Sequence, residues 1–299
     1  MRVLLFGANG MLGQAIRENL SKAENVELSC AARSGADWCL DFTDDLAVRQ
    51  CFAKVAPEAV INAAAIVSLQ KCEESPSLAY LVNGRFVSIL AEECRRAGCY
   101  LVHVSTDHYY GGEGAARHRE DDPVQVVNEY ARSKYVGECL ARAYAHSVVL
   151  RTNIVGFRGN PERPTFLEWA VSALEKQEQI TAFQDFYTSS LHVCQFAEVL
   201  KDILRLKPEG IYNLSCSQVL SKAEFMERLS QRLFHRPLKA RLGSVREMQG
   251  ARRADSLGLN TWKLENLLGY SLPDADEVME SIAAEYKRRS EANEIPYGD

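Results

Sequence analysis

The stretch Val3-Leu4-Leu5-Phe6-Gly7-Ala8-Asn9-Gly10-Met11-Leu12-Gly13 decides the fold. Its first four residues are apolar without alternation, the signature of a strand covered on both faces and so of a parallel sheet. A helical pattern runs from Met11 through Leu20. Between them the glycines have three separate jobs: a tight turn at Gly7, close approach of backbone to a pyrophosphate at Gly10, and close packing of helix on strand at Gly13. Amides of Asn9, Met11 and Leu12 at the helix start, together with the positive end of its dipole, suit phosphate oxygens. The spacing is Gly-x-x-Gly-x-x-Gly rather than Gly-x-Gly-x-x-Gly.

Strand and helix alternate from there. A second strand, Val26 to Ala32, ends in Arg33-Ser34, where an NAD site usually has an acidic residue; an arginine can instead hold a 2'-phosphate. This predicts NADPH, with NADH as the alternative. Asp41-Phe42 closes a short segment reaching towards the adenine side. A helix over about 44–55 leads to the strand Ala59 to Asn62, and Ala63-Ala64-Ala65 past its carboxyl end let a ligand lie against backbone. A long helix over 77–97 contains Asn83, and the buried strand Tyr100 to Val104 ends in Ser105-Thr106-Asp107. Val148 to Leu150 is a further strand, left through Arg151-Thr152-Asn153. Such alternation specifies an α/β, doubly wound parallel sheet with right-handed crossovers.

Within Asn128-Glu129-Tyr130-Ala131-Arg132-Ser133-Lys134, a phenol and an ammonium stand four residues apart, on one face of a helix. Lysine beside tyrosine favours phenolate and is expected to draw its pKa down towards neutrality, which suits transfer of one proton to or from an alcohol or carbonyl oxygen. Thr106, at the ligand edge of the sheet, offers a hydroxyl to the same oxygen.

The second half breaks the rhythm. Residues 157–164 read as loop; helices are expected over 165–176, 192–206, 221–234 and 276–289, with strands at 179–183 and 211–214 and a frayed tail from Ser290. Ser221 and Glu224 form a capping box.

With 299 residues, 46% of them hydrophobic, the chain buries a substantial core, and a net charge of -5 argues against a nucleic-acid partner. No apolar run reaches the roughly 20 residues of a membrane helix, and a strand begins at once without a basic leader, so a cytoplasmic protein is expected. Nine scattered cysteines without a Cys-x-x-Cys pair read as reduced thiols. Glu73 and Glu74 read as a solvated helix start, and no metal is expected. Oligomeric state stays open, a homodimer included.

Gly-x-x-Gly-x-x-Gly, Asn62-Ala-Ala-Ala65, Ser105-Thr-Asp107 and Tyr130-x-x-x-Lys134, in this order, resemble the extended short-chain dehydrogenase/reductases. Adding Lys71-Cys-Glu-Glu74, Arg151-Thr152 and Arg252-Arg-Ala-Asp-Ser256, the chain is most similar to the dTDP-4-dehydrorhamnose reductase family. The resemblance implies a Rossmann-type cofactor domain, 1–156, rejoined at about 190–206, with a smaller α/β substrate domain, 157–299, closing over a nucleotide-linked sugar. NADPH would deliver hydride to C4 of a 4-keto-6-deoxyhexose, Tyr130 would protonate the alkoxide, Thr106 would bond the same oxygen, and Lys134 would tune the tyrosine and hold the nicotinamide ribose. Asn62 to Ala65, Asn83 and Arg33 fall on the cofactor side; Ser105, Asp107, His108, Asn153 and Asp185 on the substrate side. The departures lie in the pocket: His108-Tyr109-Tyr110 follows Ser-Thr-Asp where the family has Tyr-Val-Phe, and Asn153-Ile154 replaces Ser-Trp. The competing readings are an epimerase of the superfamily and a non-catalytic cofactor-binding subunit. A dehydratase is disfavoured because Asp107 is followed by His108 rather than Glu.

Overall fold

The computed structural model describes residues 1–112 and 114–292. In chain order the first half holds β1 (Arg2–Phe6), α1 (Met11–Leu20), β2 (Glu27–Ala32), β3 (Trp38–Cys39), α2 (Asp45–Val55), β4 (Ala59–Asn62), α3 (Leu69–Glu74), α4 (Pro76–Tyr80), α5 (Phe86–Ala97), β5 (Tyr100–Val104), α6 (Glu129–Arg142) and β6 (Ser147–Arg151). Then come β7 (Ile154–Val155), α7 (Phe166–Glu175), β8 (Ile180–Phe183), β9 (Tyr187–Thr188), β10 (Leu191–His192), α8 (Val193–Leu206), β11 (Gly210–Asn213), β12 (Leu220–Ser221), α9 (Lys222–Phe234), β13 (Ala240–Gly243), β14 (Ser256–Leu257), α10 (Trp262–Leu268) and α11 (Ala275–Glu291).

Seven strands form one parallel sheet, ordered β11-β6-β5-β4-β1-β2-β3. The order reverses between β1 and β4, so the crevice outside their carboxyl ends is the switch point where open parallel sheets take ligands. Alternation along β1 explains why both faces are apolar. Val3 and Leu5 enter one core with Ile16 of α1 and Leu200 of α8, while Leu4 and Phe6 enter the other with Phe52 of α2 and Phe86 of α5. This doubly wound layer is the Rossmann fold that the sequence implies.

Three elements differ from their sequence reading, one being that Glu73 and Glu74 close α3 (Leu69–Glu74) rather than open a helix. The single helix expected over 77–97 is two α segments joined by a π-helical turn, Leu81–Arg85, which carries Asn83. A π turn bulges one residue out of the helical repeat, and apolar periodicity does not register it. The strand expected at 211–214 is β11, hydrogen-bonded to β6 at the edge of the large sheet, so the chain returns to that layer through α8 and β11. Ser290 continues α11; the rest of the tail, residues 293–299, lies outside the described residues.

The remaining elements build a smaller cap at the carboxyl edge. β9 pairs with β12 and β14, β8 with β13, and β7 with β10. α7 and α9 open on complete capping boxes, Thr165/Glu168 and Ser221/Glu224. No described helix is long and apolar enough to cross a membrane.

Candidate active site

The turn after β1 is shaped by what a side chain would collide with. Gly7 has φ +85°, and a Cβ there would lie 2.7 Å from Ala64 N and 2.8 Å from Ala63 C. A Cβ at Gly13 would lie 2.1 Å from Gly7 O. Gly10 is the N-cap of α1 and has no side chain with which to cap it, so the amides of Met11, Leu12 and Gly13 face the switch point without a side-chain acceptor. Asn9 donates through Nδ2 to Ser34 O at 2.5 Å, tying the glycine turn to the loop that carries Arg33. Arg33 itself is exposed. Asp41 accepts from Thr43 N and Thr43 Oγ1, both at 2.8 Å, bonds that hold its carboxyl below the usual range, and Phe42 is packed on Phe6 and Phe86. These features fit a dinucleotide laid across the β1/β4 crevice.

Two residues expected on the cofactor side hold the backbone around it. Asn62 Oδ1 accepts from Ala64 N at 3.1 Å and its Nδ2 faces His103 Nδ1 at 3.2 Å, so its side chain shapes the Ala63-Ala64-Ala65 loop from beneath. Asn83 accepts from Ile66 N at 2.8 Å and donates to Ile66 O and Ser133 Oγ, each at 3.0 Å. It clasps the loop after β4 to α6. The approach is close because Gly137 of α6 lies against the π turn, where a Cβ would stand 2.0 Å from Asn83 O.

α6 brings the proton-handling pair to the end of β5. Asn128 caps it through Oδ1 to Ala131 N and donates to Arg252 O, both at 2.8 Å, and Glu73 accepts from Glu129 N at 2.9 Å. Thr106, Tyr130 and Lys134 are buried, at 3%, 9% and 3% exposure. Lys134 Nζ donates to Val104 O at 2.7 Å, and burial lowers its pKa to about 8. Tyr130 departs from the direction that spacing alone predicts. Burial raises its pKa, the facing Thr106 hydroxyl pulls it part of the way back, and the charge of Asp107 raises it further. Desolvating a phenolate costs more here than the Thr106 hydrogen bond recovers, so the tyrosine is held as the neutral acid.

Beside them runs a polar row. Thr106 Oγ1 accepts from His108 N at 3.2 Å; Asp107 Oδ2 accepts from Asn153 Nδ2 at 2.8 Å; Asn153 Oδ1 accepts from Ser190 Oγ at 2.7 Å. Burial lifts Asp107 to about 7, and His108, whose ring meets Tyr130 edge-on at 5.4 Å, is pushed down to about 4 by burial and by the charges of Arg253 and Lys222. Asp185 stands elsewhere: its carboxylate binds Ser244 Oγ and accepts from Val245 N at 2.8 Å, fixing a turn of the cap. Ser105 turns inward, donating to Glu138 Oε2 at 2.9 Å.

The sequence reading missed three residues here. Glu138 and Arg151 form a buried pair beneath the β5 end, with Arg151 Nη2 to Glu138 Oε1 at 2.6 Å and Nε to Oε2 at 3.1 Å. Arg151 Nη1 also donates to Tyr110 OH at 2.7 Å, so the pair ties α6 and β6 to the loop after Asp107. The third is Lys222, the first residue of α9. A lysine in a helix's first turn opposes the dipole, and that was the available signal.

The RmlD substrate binding domain family matches residues 1–288. The spore coat polysaccharide biosynthesis protein SpsK of Bacillus subtilis is 31% identical over 225 residues, covering 75% of this chain and 76% of that protein. The dTDP-4-dehydrorhamnose reductase of Escherichia coli K12 is 25% identical over 287 residues, covering 92% and 94%. Among solved structures, a dTDP-4-dehydrorhamnose reductase of Clostridium acetobutylicum superposes with a TM-score of 0.86 at 26% identity, covering 96% of this chain and 100% of that one. With its glycine turn, its Tyr130/Lys134 helix and the match over residues 1–288 together, the chain belongs to the RmlD substrate binding domain family.

Proposed function

We propose that the protein is an NAD(P)H-dependent reductase of a nucleotide-linked 4-keto-6-deoxy sugar, with NADPH preferred and NADH as the secondary cofactor. The observation that carries this reading is the convergence of Tyr130, Thr106 and Lys134 at the end of β5, beside a glycine turn whose shape admits no side chain. The relatives named as dTDP-4-dehydrorhamnose reductases support the substrate class. The exposed guanidinium of Arg33 after β2, where an NAD site usually has an acidic side chain, supports NADPH.

Each residue has a distinct part in the chemistry. The reduced dinucleotide supplies the hydride when bound. Tyr130, kept protonated by burial, gives its proton to the oxygen that becomes an alkoxide, and Thr106 donates to the same oxygen, stabilising the charge as it forms. Lys134 keeps one N–H on Val104 O and has two more, suited to the cofactor ribose. Its charge also makes the transient tyrosinate less costly. Glu138 and Arg151 hold the strand end that presents Thr106. Residues 157–299, apart from the stretch that rejoins the large sheet, act as the substrate domain, and the protein works in the cytoplasm.

An epimerase would carry out the same hydride step with no net change in the cofactor, so net oxidation is the test. Mixing the protein with NADPH or NADH and a panel of nucleotide-linked 4-keto-6-deoxy sugars is expected to consume the reduced cofactor with at least one sugar, faster with NADPH. Tight cofactor binding without oxidation across the panel would contradict a reductase.

A further inference from the structure

Lys222 sits at the far end of the polar row that begins at Thr106, and the residues around it do not neutralise it. Its Nζ lies over the rings of Phe166, Phe225 and Phe186, at 4.6, 5.4 and 5.7 Å from their centroids. The one hydrogen bond of its ammonium among the described residues is long, to Ser190 Oγ at 3.5 Å. Asp107 is the carboxylate whose field it feels, but that group is engaged by Asn153 and is itself pushed towards the neutral acid by burial. Three aromatic faces attract a cation without accepting its N–H groups. At least two donors of the ammonium are therefore left for something that is not protein. The side chain is deep enough that burial lowers its pKa to about 8, yet the residue is still partly exposed.

The neighbours of Lys222 set the direction in which its ammonium acts. Its charge reaches His108, whose ring stands edge-on to Tyr130 and whose Nδ1 is buried without a hydrogen-bond partner. Ser190, Asn153 and Asp107 connect the ammonium to Thr106. The cation thus lies on the side of the proton donor where substrate must sit. A lysine left with unused donors beside neutral amides and hydroxyls is matched by an oxyanion, since charge-assisted bonds are the ones that offset desolvation.

We propose that Lys222 is a specificity-determining residue that binds an oxyanion of the sugar-nucleotide substrate, holding it in register with Tyr130 and Thr106. This rests on the reductase reading above. Two parts of such a substrate can supply the oxyanion: the diphosphate that links nucleoside to sugar, or a carboxylate at C6 of the sugar, which would make the substrate a 4-keto uronic acid in place of the 6-deoxy sugar. Lys222 makes two or three charge-assisted bonds to either, inside a ring of phenyl groups that keeps water away from them.

Titration calorimetry of the NADP-loaded protein with dTDP, dTDP-glucose and dTDP-glucuronate tests this without turnover. Lys222→Met, whose flexible apolar chain suits the three rings, is expected to lose about tenfold or more in affinity for ligands carrying the contacted oxyanion, while Lys222→Arg stays within about threefold of wild type. Lys222→Gln serves as a second neutral replacement, and unchanged NADPH affinity certifies the fold of each. A loss shared by all three ligands assigns the diphosphate; a loss confined to dTDP-glucuronate assigns a sugar carboxylate and overturns the 6-deoxy part of the substrate while leaving the reductase reading. Neutral variants that bind all three as wild type does would overturn the proposal and leave the reductase reading standing. A wild-type protein that binds none of the three would overturn the sugar-nucleotide reading and this proposal with it.

Discussion

Tyr130→Phe is expected to lower kcat by roughly 10³-fold, within the range that a positioned acid contributes. Affinity for NADPH should change little. The replacement removes a single oxygen from a ring that is buried against Cys72, Ala79, Ile66 and Leu69, so packing is preserved. What disappears is the phenolic proton donor facing Thr106 at the end of β5. Without it the alkoxide formed at the sugar must take its proton from a less well-placed donor. Steady-state rates with a sugar that wild type reduces, together with a fluorescence titration of NADPH, separate the two effects. A loss of less than about tenfold would remove Tyr130 from the chemistry.

Glu138→Ala is expected to destabilise the protein by about 3–5 kcal/mol, because it strands the Arg151 guanidinium in the core. Both side chains are essentially inaccessible, at 0% and 2% exposure, and Glu138 takes two bonds from Arg151 and one from Ser105. The cost is the desolvated cation that remains, so a second change should recover much of it. Glu138→Leu combined with Arg151→Met is predicted to be closer to wild type than Glu138→Ala alone. Urea unfolding of the two variants and wild type measures this. A single replacement costing less than about 1 kcal/mol would mean that water or another acceptor reaches Arg151.

How far the sequence carried this reading depends on whether a feature is local. The parallel sheet was legible because β1, β4, β5 and β6 are apolar on both faces, and the glycine turn because each glycine answers a contact within a few residues or in the next strand. The capping boxes of α7 and α9 were equally local. The π turn at Asn83 leaves no periodic trace, and β11 is four residues whose partner, β6, is more than fifty positions earlier, so its place in the sheet is a tertiary fact. The charge state of Tyr130 depends on burial, which spacing along one helix does not measure.

The pocket was the least legible part. Asp107, Asn153, Ser190, Lys222 and Arg253 come from five separate segments, and no spacing within any of them marks the others. Asp185 shows the converse hazard: an acidic residue at a familiar position is used up by Ser244 and Val245 in building the cap. The reaction centre, carried by two segments in regular elements, could be named from residue types; the specificity of the site rests on long-range assembly.

The central claim is that hydride passes from the cofactor to the sugar carbonyl and a proton follows from Tyr130. The most direct measurement is to run the reaction with NADPH dideuterated at the nicotinamide C4 and locate the label in the sugar product by NMR. The account predicts one deuterium at the sugar C4 for each NADPH oxidised. A product lacking deuterium at that carbon, or a keto sugar transformed with no cofactor consumed, would contradict it.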